Sequence, residues 1–270
     1  MSVIFASVAF LAIVTFASVD LSAQESSDAN RKPAASVPMT ADGHPDLSGV
    51  WWAGGGGGAG GLTIVSSDHG RTAATSLGPQ PNGFGMLYKP EFMAKAKTMG
   101  DKDDPGLQCV PSPGIEGAIQ ILQTSAFVAI LIEEGNHFRL IPTQPGRKHQ
   151  EDAPPSYKGD SVGHWEGDTL VVEATNFNDR SWIGNHGDVS FHSTALRSVE
   201  RFRRTSAGTL EYEVTYEDPV TLTAPYKQPK RNLVLAPFDQ IMEVMCLGDN
   251  QSKVLQDLMD TAAKDNYGRK

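Results

Sequence analysis

Cysteine is scarce in this sequence, with two among 270 residues, and neither lies in a CxxC pair. This spacing argues against thioredoxin-type redox motifs and cysteine-rich zinc modules, both of which need closely spaced thiols. Charged residues are also few, at 20% of the chain, and the net charge is -9. A nucleic-acid binder needs clustered Lys and Arg to neutralise phosphates, so we expect no nucleic-acid partner.

Long hydrophobic runs are also rare, and only one stands out, between Val3 and Val19. Asp20 interrupts it before it reaches the length of a spanning helix, so it reads as a signal peptide cleaved after Ala23. A buried N-terminal helix or an uncleaved anchor is the alternative. The sequence thus predicts a signal peptide over 1–23, a disordered tether over 24–41 and a single domain over 42–270, in a periplasmic or secreted protein with no membrane span after cleavage.

Export affects the interpretation of the two cysteines, Cys109 and Cys246. In an oxidising compartment two cysteines are more often bridged than catalytic, so we expect a Cys109–Cys246 disulfide. Two buried free thiols are the alternative.

Short apolar runs bounded by turn residues fill the chain from Ile119 onward. Tight-turn sequences such as Glu134-Gly135-Asn136 separate them, which indicates antiparallel neighbours. The predicted strands cover residues 120–133, 137–142, 161–165, 169–175, 196–204, 209–217, 232–235 and 240–246.

Alternation is clearest over 209–216, where Leu210, Tyr212, Val214 and Tyr216 share one face. No ten-residue helical pattern lies between the strands, so the fold is predicted to be mainly β: an antiparallel lipocalin-like barrel, with a β-sandwich as the alternative. A short N-terminal helix is expected within 89–99, and a C-terminal helix within 251–264, which carries Val254, Leu255, Leu258 and Met259 at helical spacing.

Four strings carry a family resemblance: HPDLSGVW at 44–51, GDSVGHWEGDTLVV at 159–172, NFND at 176–179 and ERFRR at 200–204. Together they resemble a large, poorly characterised family of exported bacterial proteins in which these blocks recur. The resemblance covers residues 42–250. It implies an exported protein and assigns no reaction.

The densest polar cluster lies over 176–192, between two predicted strands, where a rigid scaffold can present a functional loop. His186 or His192 could move a proton, Asp179 could orient the imidazole and Asn178 could bind substrate. The alternative is that the Asn and Asp residues only cap turns and the histidines lie on a solvent-exposed surface. The spacing does not require that these groups converge on a metal, so we predict no metal and no cofactor.

Further candidate ligand contacts are Trp182, inside this loop, and Tyr212, on a predicted strand. Arg201 and Arg203 share the face opposite Glu200, and if they pointed into a barrel they would clamp an anion. If they faced solvent they would pair with nearby Glu residues and contribute little.

These features predict a secreted, cofactor-independent acid–base enzyme of the lyase or isomerase type. It would act on a small aromatic or apolar molecule in a barrel cavity. The alternative is a periplasmic small-molecule carrier with the same cavity and no chemistry. The sequence leaves the oligomeric state open.

Overall fold

A computed structural model describes residues 36–52, 83–184 and 189–243 of the chain. Its ten strands are β1 (Gly49–Trp52), β2 (Ile119–Gln123), β3 (Phe127–Ile132), β4 (His137–Pro142), β5 (Asp160–Glu166), β6 (Thr169–Thr175), β7 (Arg197–Ser206), β8 (Thr209–Glu217), β9 (Tyr226–Lys227) and β10 (Arg231–Leu235). Helix α1 (Pro90–Ala96) and the 3-10 turns Phe84–Leu87, Asp101–Asp103 and Pro105–Gln108 lie between β1 and β2, and the 3-10 turn Glu134–Asn136 joins β3 to β4. Within the described ranges, no helix is long and apolar enough to span a membrane.

The strands form one sheet in the order β4-β3-β2-β1-β10-β8-β7-β6-β5, and β9 adds to the edge of β8. Every neighbouring pair is antiparallel. Because the path contains nine strands, β4 and β5 at its two ends run in the same direction. Their side chains meet where Arg139 donates to Ser161 over 3.0 Å. The sheet is therefore a nearly closed barrel, which confirms the lipocalin-like prediction over the sandwich.

Period-two alternation determines which side chains fill this barrel. On β8, Leu210, Tyr212, Val214 and Tyr216 are all buried, whereas the residues between them are partly exposed. The largest fully buried side chains come from several parts of the chain: Trp51, Phe84, Phe177, Phe202, Tyr212 and Tyr216. The interior is therefore largely an apolar core.

The barrel has two distinct ends. At the lower end, where β7 turns into β8, the Arg204 guanidinium donates to the backbone carbonyls of Asp46 and Ala207 and stacks on the Trp51 ring. At the upper end, where β2, β4 and β5 begin, three connecting segments pack together: the one between β1 and β2, the one between β6 and β7, and the one after β8. Tyr88, from the first, pairs with Leu222 and donates its hydroxyl to the Phe191 carbonyl.

The strand predictions hold for most of the chain and fail at four places. The segment 120–133 is two strands, because Thr124 makes a turn back to Phe127. Strands β1 and β9 were not predicted, since both are too short to show a period. Residues 240–243 form no strand, and the rest of that prediction lies outside the described residues.

The described residues cover only some of the predicted helices and N-terminal segments. The short N-terminal helix is present as α1, which begins at Pro90. The predicted C-terminal helix, the signal peptide and most of the tether lie outside the described residues. The end of the predicted tether already makes contacts, because Met39 pairs with Pro45 and the Asp46 amide donates to the Pro38 carbonyl.

Candidate functional site

A cluster of polar side chains lies inside the upper half of the barrel. Arg139 on β4, Ser161 on β5, Glu200 on β7 and Tyr212 on β8 all occupy inward-facing positions. Arg139 Nη1 lies 2.6 Å from Glu200 Oε2, and the Tyr212 hydroxyl donates to Glu200 Oε1 over 2.6 Å. Four strands thus bring one cation, one carboxylate and two hydroxyls together in an otherwise apolar core.

Burial makes this ion pair energetically demanding. The side chains of Arg139 and Glu200 are only 2% and 1% exposed, so each charge depends on the other for compensation. Burial has the largest single effect and would lower the pKa of Arg139, but the charge and close contact of Glu200, together with Tyr212 and Tyr216, raise that pKa overall. Burial and the same carboxylate raise the pKa of Tyr212, which keeps its hydroxyl protonated as a donor.

The hydrogen bonding of this pair is incomplete. Arg139 Nη1 and Glu200 Oε2 are in ion-pair contact, but their angles do not make a hydrogen bond, and Arg139 Nε has no hydrogen-bond partner. Buried polar atoms are normally satisfied by protein or water. The cluster therefore retains donor and acceptor capacity inside the barrel.

Lys158 lies beside this cluster, two residues before β5 begins. Its ammonium donates to the Gly114 carbonyl over 2.9 Å. Burial lowers the pKa of Lys158 to about 8; the Arg139 charge acts in the same direction, whereas Glu116 opposes the shift. A lysine in this environment exchanges a proton much closer to neutral pH than an exposed one does.

Residues 112–118, here called the cover segment, lie across the upper end of the barrel. Arg231 Nη2 donates to the Ile115 carbonyl over 3.1 Å, and its guanidinium lies 4.7 Å from the centre of the Tyr212 ring. A Cβ atom added to Gly114 would lie 2.5 Å from the Tyr216 hydroxyl, so only glycine allows this close approach. Two cations, Lys158 and Arg231, thus hold the cover segment over the polar cluster.

His137 is a further titratable group at this end, at the start of β4. Burial lowers its pKa, the charge of Lys158 adds to that effect, and Glu116 partly opposes it. Because Lys158 and His137 both remain partly exposed, they form the accessible rim of the site.

The predicted catalytic loop is arranged differently from the expectation. His192 is buried, with Nδ1 2.9 Å from the Ser193 carbonyl and Nε2 3.0 Å from the Ser181 hydroxyl. A carbonyl can only accept, so Nδ1 carries the hydrogen and Nε2 accepts from Ser181. Burial lowers the pKa of His192 and favours this neutral form. Asp179 does not orient His192, because it is exposed and acts on that imidazole only through its charge. That Asp179 orients His186 stays a prediction.

Asn178 and Trp182, the other loop candidates that the structure describes, have structural roles of their own. His186 lies outside the described residues. Asn178 accepts from the Arg180 amide and so caps a turn. Trp182 is 5% exposed and pairs with Phe191 as part of the core, so it offers no open face to a ligand.

Arg201 and Arg203 point outward rather than into the barrel, which corrects their assignment to a ligand clamp. Arg201 pairs with Glu166 over 2.6 Å and Arg203 with Glu211 over 2.8 Å, all on the solvent-facing side of the sheet. Tyr212, in contrast, is buried inside the barrel and belongs to the polar cluster. The charged side chains of β7 that point into the barrel are instead Glu200 and Arg204.

Cys109 is disulfide-bonded and adopts a left-handed backbone conformation with φ 64°. Cys246 lies outside the described residues, so the Cys109–Cys246 pairing stays a prediction. In the described part of the chain, no three His, Cys, Asp or Glu side chains are placed to hold a metal ion.

Sequence reasoning missed the site residues Arg139, Ser161, Glu200 and Lys158. For Glu200 a signal existed, since it alternates with Phe202 on β7 and so shares the core-facing side. Arg139 carries the same signal, because it alternates with Ile141 on β4. Lys158 lies in a loop with no periodicity, and nothing in the sequence distinguishes it from the exposed lysines.

Ser161 is the centre of a GxSxG spacing, Gly159 to Gly163. In a nucleophile elbow this serine lies on a sharp turn from a strand into a helix. Here it lies within β5, which turns into another strand, and its hydroxyl accepts from Arg139. The spacing therefore does not form an elbow.

A comparison with family models, curated proteins and solved structures finds no match to this chain. The resemblance to the exported bacterial family accordingly stays a prediction.

Proposed function

We propose that this protein is an acid–base enzyme that acts on a small molecule at the upper end of its barrel. Lys158 is the proposed proton-transfer group. The observation that carries the proposal is the position of its ammonium, bonded to the cover segment beside a fully buried ion pair. The proposed reaction class remains a lyase or isomerase, in a periplasmic or secreted protein.

Support comes first from the pKa of Lys158. A general base works best when its pKa lies near the working pH, because a useful fraction is then deprotonated. With a pKa of about 8, the Lys158 amine is available at mildly alkaline pH without a cofactor to activate it. Titratable groups with shifted pKa values that converge at one place are typical of catalytic sites.

Support comes second from the electrostatic surroundings. Arg139 is a fixed cation whose Nε has no hydrogen-bond partner, and it lies in a region of low dielectric, where it stabilises developing negative charge strongly. In the proposed reaction neutral Lys158 removes a proton from an acidic C–H of the substrate. The resulting anion develops toward Arg139, and the lysine returns the proton to a second atom or to the leaving group.

The test is a turnover screen of small aromatic keto and hydroxy acids across pH 6 to 9.5. Lys158→Met should lower kcat/KM at least a hundredfold, as expected for loss of a positioned general base. The rate of the unaltered chain should rise with pH through about 8, as the amine is freed. Lys148→Met, at an exposed lysine in the loop before β5, is the matched control and should leave the rate unchanged. Undiminished turnover by Lys158→Met overturns the proposal.

A carrier remains the second candidate, because the polar cluster adjoins an apolar interior of Leu170, Val172 and Phe202 that suits an apolar ligand. Native mass spectrometry of the protein from its own compartment distinguishes the two. A retained molecule that is released unchanged, with no turnover of that compound, favours the carrier.

A further inference from the structure

The outer surface of the barrel divides into two parts of different chemistry. From β5 to β9 it is ionic, with Arg201 paired to Glu166, Arg203 to Glu211 and Lys227 to Glu213. Across β2, β3 and β4 the outward positions are apolar except for Gln120 at the start of β2. The solvent-exposed face of an antiparallel sheet normally carries polar side chains, and most of the surface of β2, β3 and β4 does not.

This apolar face consists of Leu122, Phe127, Leu131, Phe138 and Leu140. Strand register makes it continuous, because Leu131 lies opposite Phe138, and Leu122 and Leu140 both lie opposite Ala129. Phe138 is 70% exposed and Leu140 is 54% exposed. A contiguous exposed apolar patch of this kind usually marks a surface that another element covers.

The chain itself leads to this face after β10. The Ala236 amide donates to the Val50 carbonyl, and the Gln120 side chain donates to the Asp239 carbonyl over 3.0 Å. The Met242 amide then donates to Glu133 over 2.9 Å. The described chain therefore crosses β1 and β2 and arrives at the end of β3, beside the apolar face.

We propose that residues 251–264 form an amphipathic helix that lies on the apolar face of β2, β3 and β4. Val254, Leu255, Leu258 and Met259 would contact the sheet, because they share one side of a helix of 3.6 residues per turn. Lys253, Asp257, Asp260 and Lys264 fall on the opposite, solvent-facing side.

The dimensions agree with this placement. A helix over 251–264 is about 21 Å long, and the six residues of β3 span about 20 Å. The connection 244–250 can reach about 23 Å when extended, which allows the chain to reverse and lie back along the strands.

Photo-cross-linking in the full chain tests which surface covers the apolar face. A benzoylphenylalanine replaces Phe138, the full chain is irradiated, and the cross-linked peptides of the monomer and dimer fractions are identified separately by mass spectrometry. We expect cross-links within the same chain to residues 251–264, at least tenfold above those from the same probe at Lys227. Lys227 is the matched control because it is 66% exposed on the ionic part of the barrel.

Cross-links only between two copies would assign the face to self-association, and an unreacted probe would leave it to solvent; either result overturns the proposal. Thermal unfolding gives an independent reading. Phe138→Ser should lower Tm by several degrees in the natural chain and by less than one degree when Leu255 and Leu258 are also serine. Equal shifts in both backgrounds contradict a contact between the two elements.

Discussion

Replacing Lys158 by methionine should change how the stability of the protein depends on pH. The substitution keeps an unbranched side chain of similar length and removes only the charge. In the folded protein the pKa of Lys158 falls from 10.5 to about 8. Between these two values the unfolded chain binds more protons than the folded one, so this lysine makes the free energy of unfolding rise with pH.

The size of the effect follows from the same shift. Each pKa unit corresponds to 1.36 kcal/mol, so the fall sets an upper limit of about 3 kcal/mol. Because Lys158 is partly exposed, solvent screening reduces the expected value to about 1–2 kcal/mol. The neutral amine keeps N–H donors for the Gly114 carbonyl, so the comparison of two pH values chiefly reports the charge of Lys158.

Urea unfolding of both proteins at pH 7 and at pH 10 measures this difference. The stability of the natural chain relative to Lys158→Met should improve by about 1–2 kcal/mol between the two pH values. Lys148→Met, which removes an exposed lysine, should show no such change. A stability difference that stays constant with pH would refute the argument that Lys158 is desolvated.

Three further predictions concern the same end of the barrel. Glu200→Ala leaves Arg139 as an unpaired buried charge and should cost about 3–5 kcal/mol in urea unfolding; a loss below 1 kcal/mol would contradict the pairing. Gly114→Ala places a methyl group against the Tyr216 hydroxyl and should cost about 1–3 kcal/mol in the same assay, whereas Gly208→Ala, whose added Cβ meets nothing within 4 Å, should cost less. Burial lowers the pKa of His192, so the unfolded chain takes up its proton first and stability should fall as pH drops below about 6.5; His192→Gln should weaken this dependence, and an unchanged acid profile would argue against a buried neutral imidazole.

Much of the fold could be predicted from the sequence because alternation is a local signal. In β8 every second residue is apolar, and the structure buries those residues. The short strand β1 could not be predicted in this way, since its four residues hold no complete pattern and its place is decided by distant partners, Trp51 facing both Ile119 and Leu235.

The site was harder to predict, for a different physical reason. The site was predicted in the 176–192 loop because its polar residues are close in sequence, yet His192 and Asp179 are not in contact. The polar cluster brings together Arg139, Ser161, Glu200 and Tyr212 from four strands. Only the register of the sheet makes these residues neighbours, and register is not readable from one strand alone.

The pairing of β1 with β10 also sets the order in which the barrel can form. Trp51 lies opposite Leu235, so this pairing joins the two ends of the described chain and closes one of the longest loops. The hairpins β2–β3, β5–β6 and β7–β8 need only short loops and can assemble early. Strand β1 therefore has no partner on its β10 side until β10 has been synthesised. Completion of the barrel is accordingly a late and slow step of high contact order.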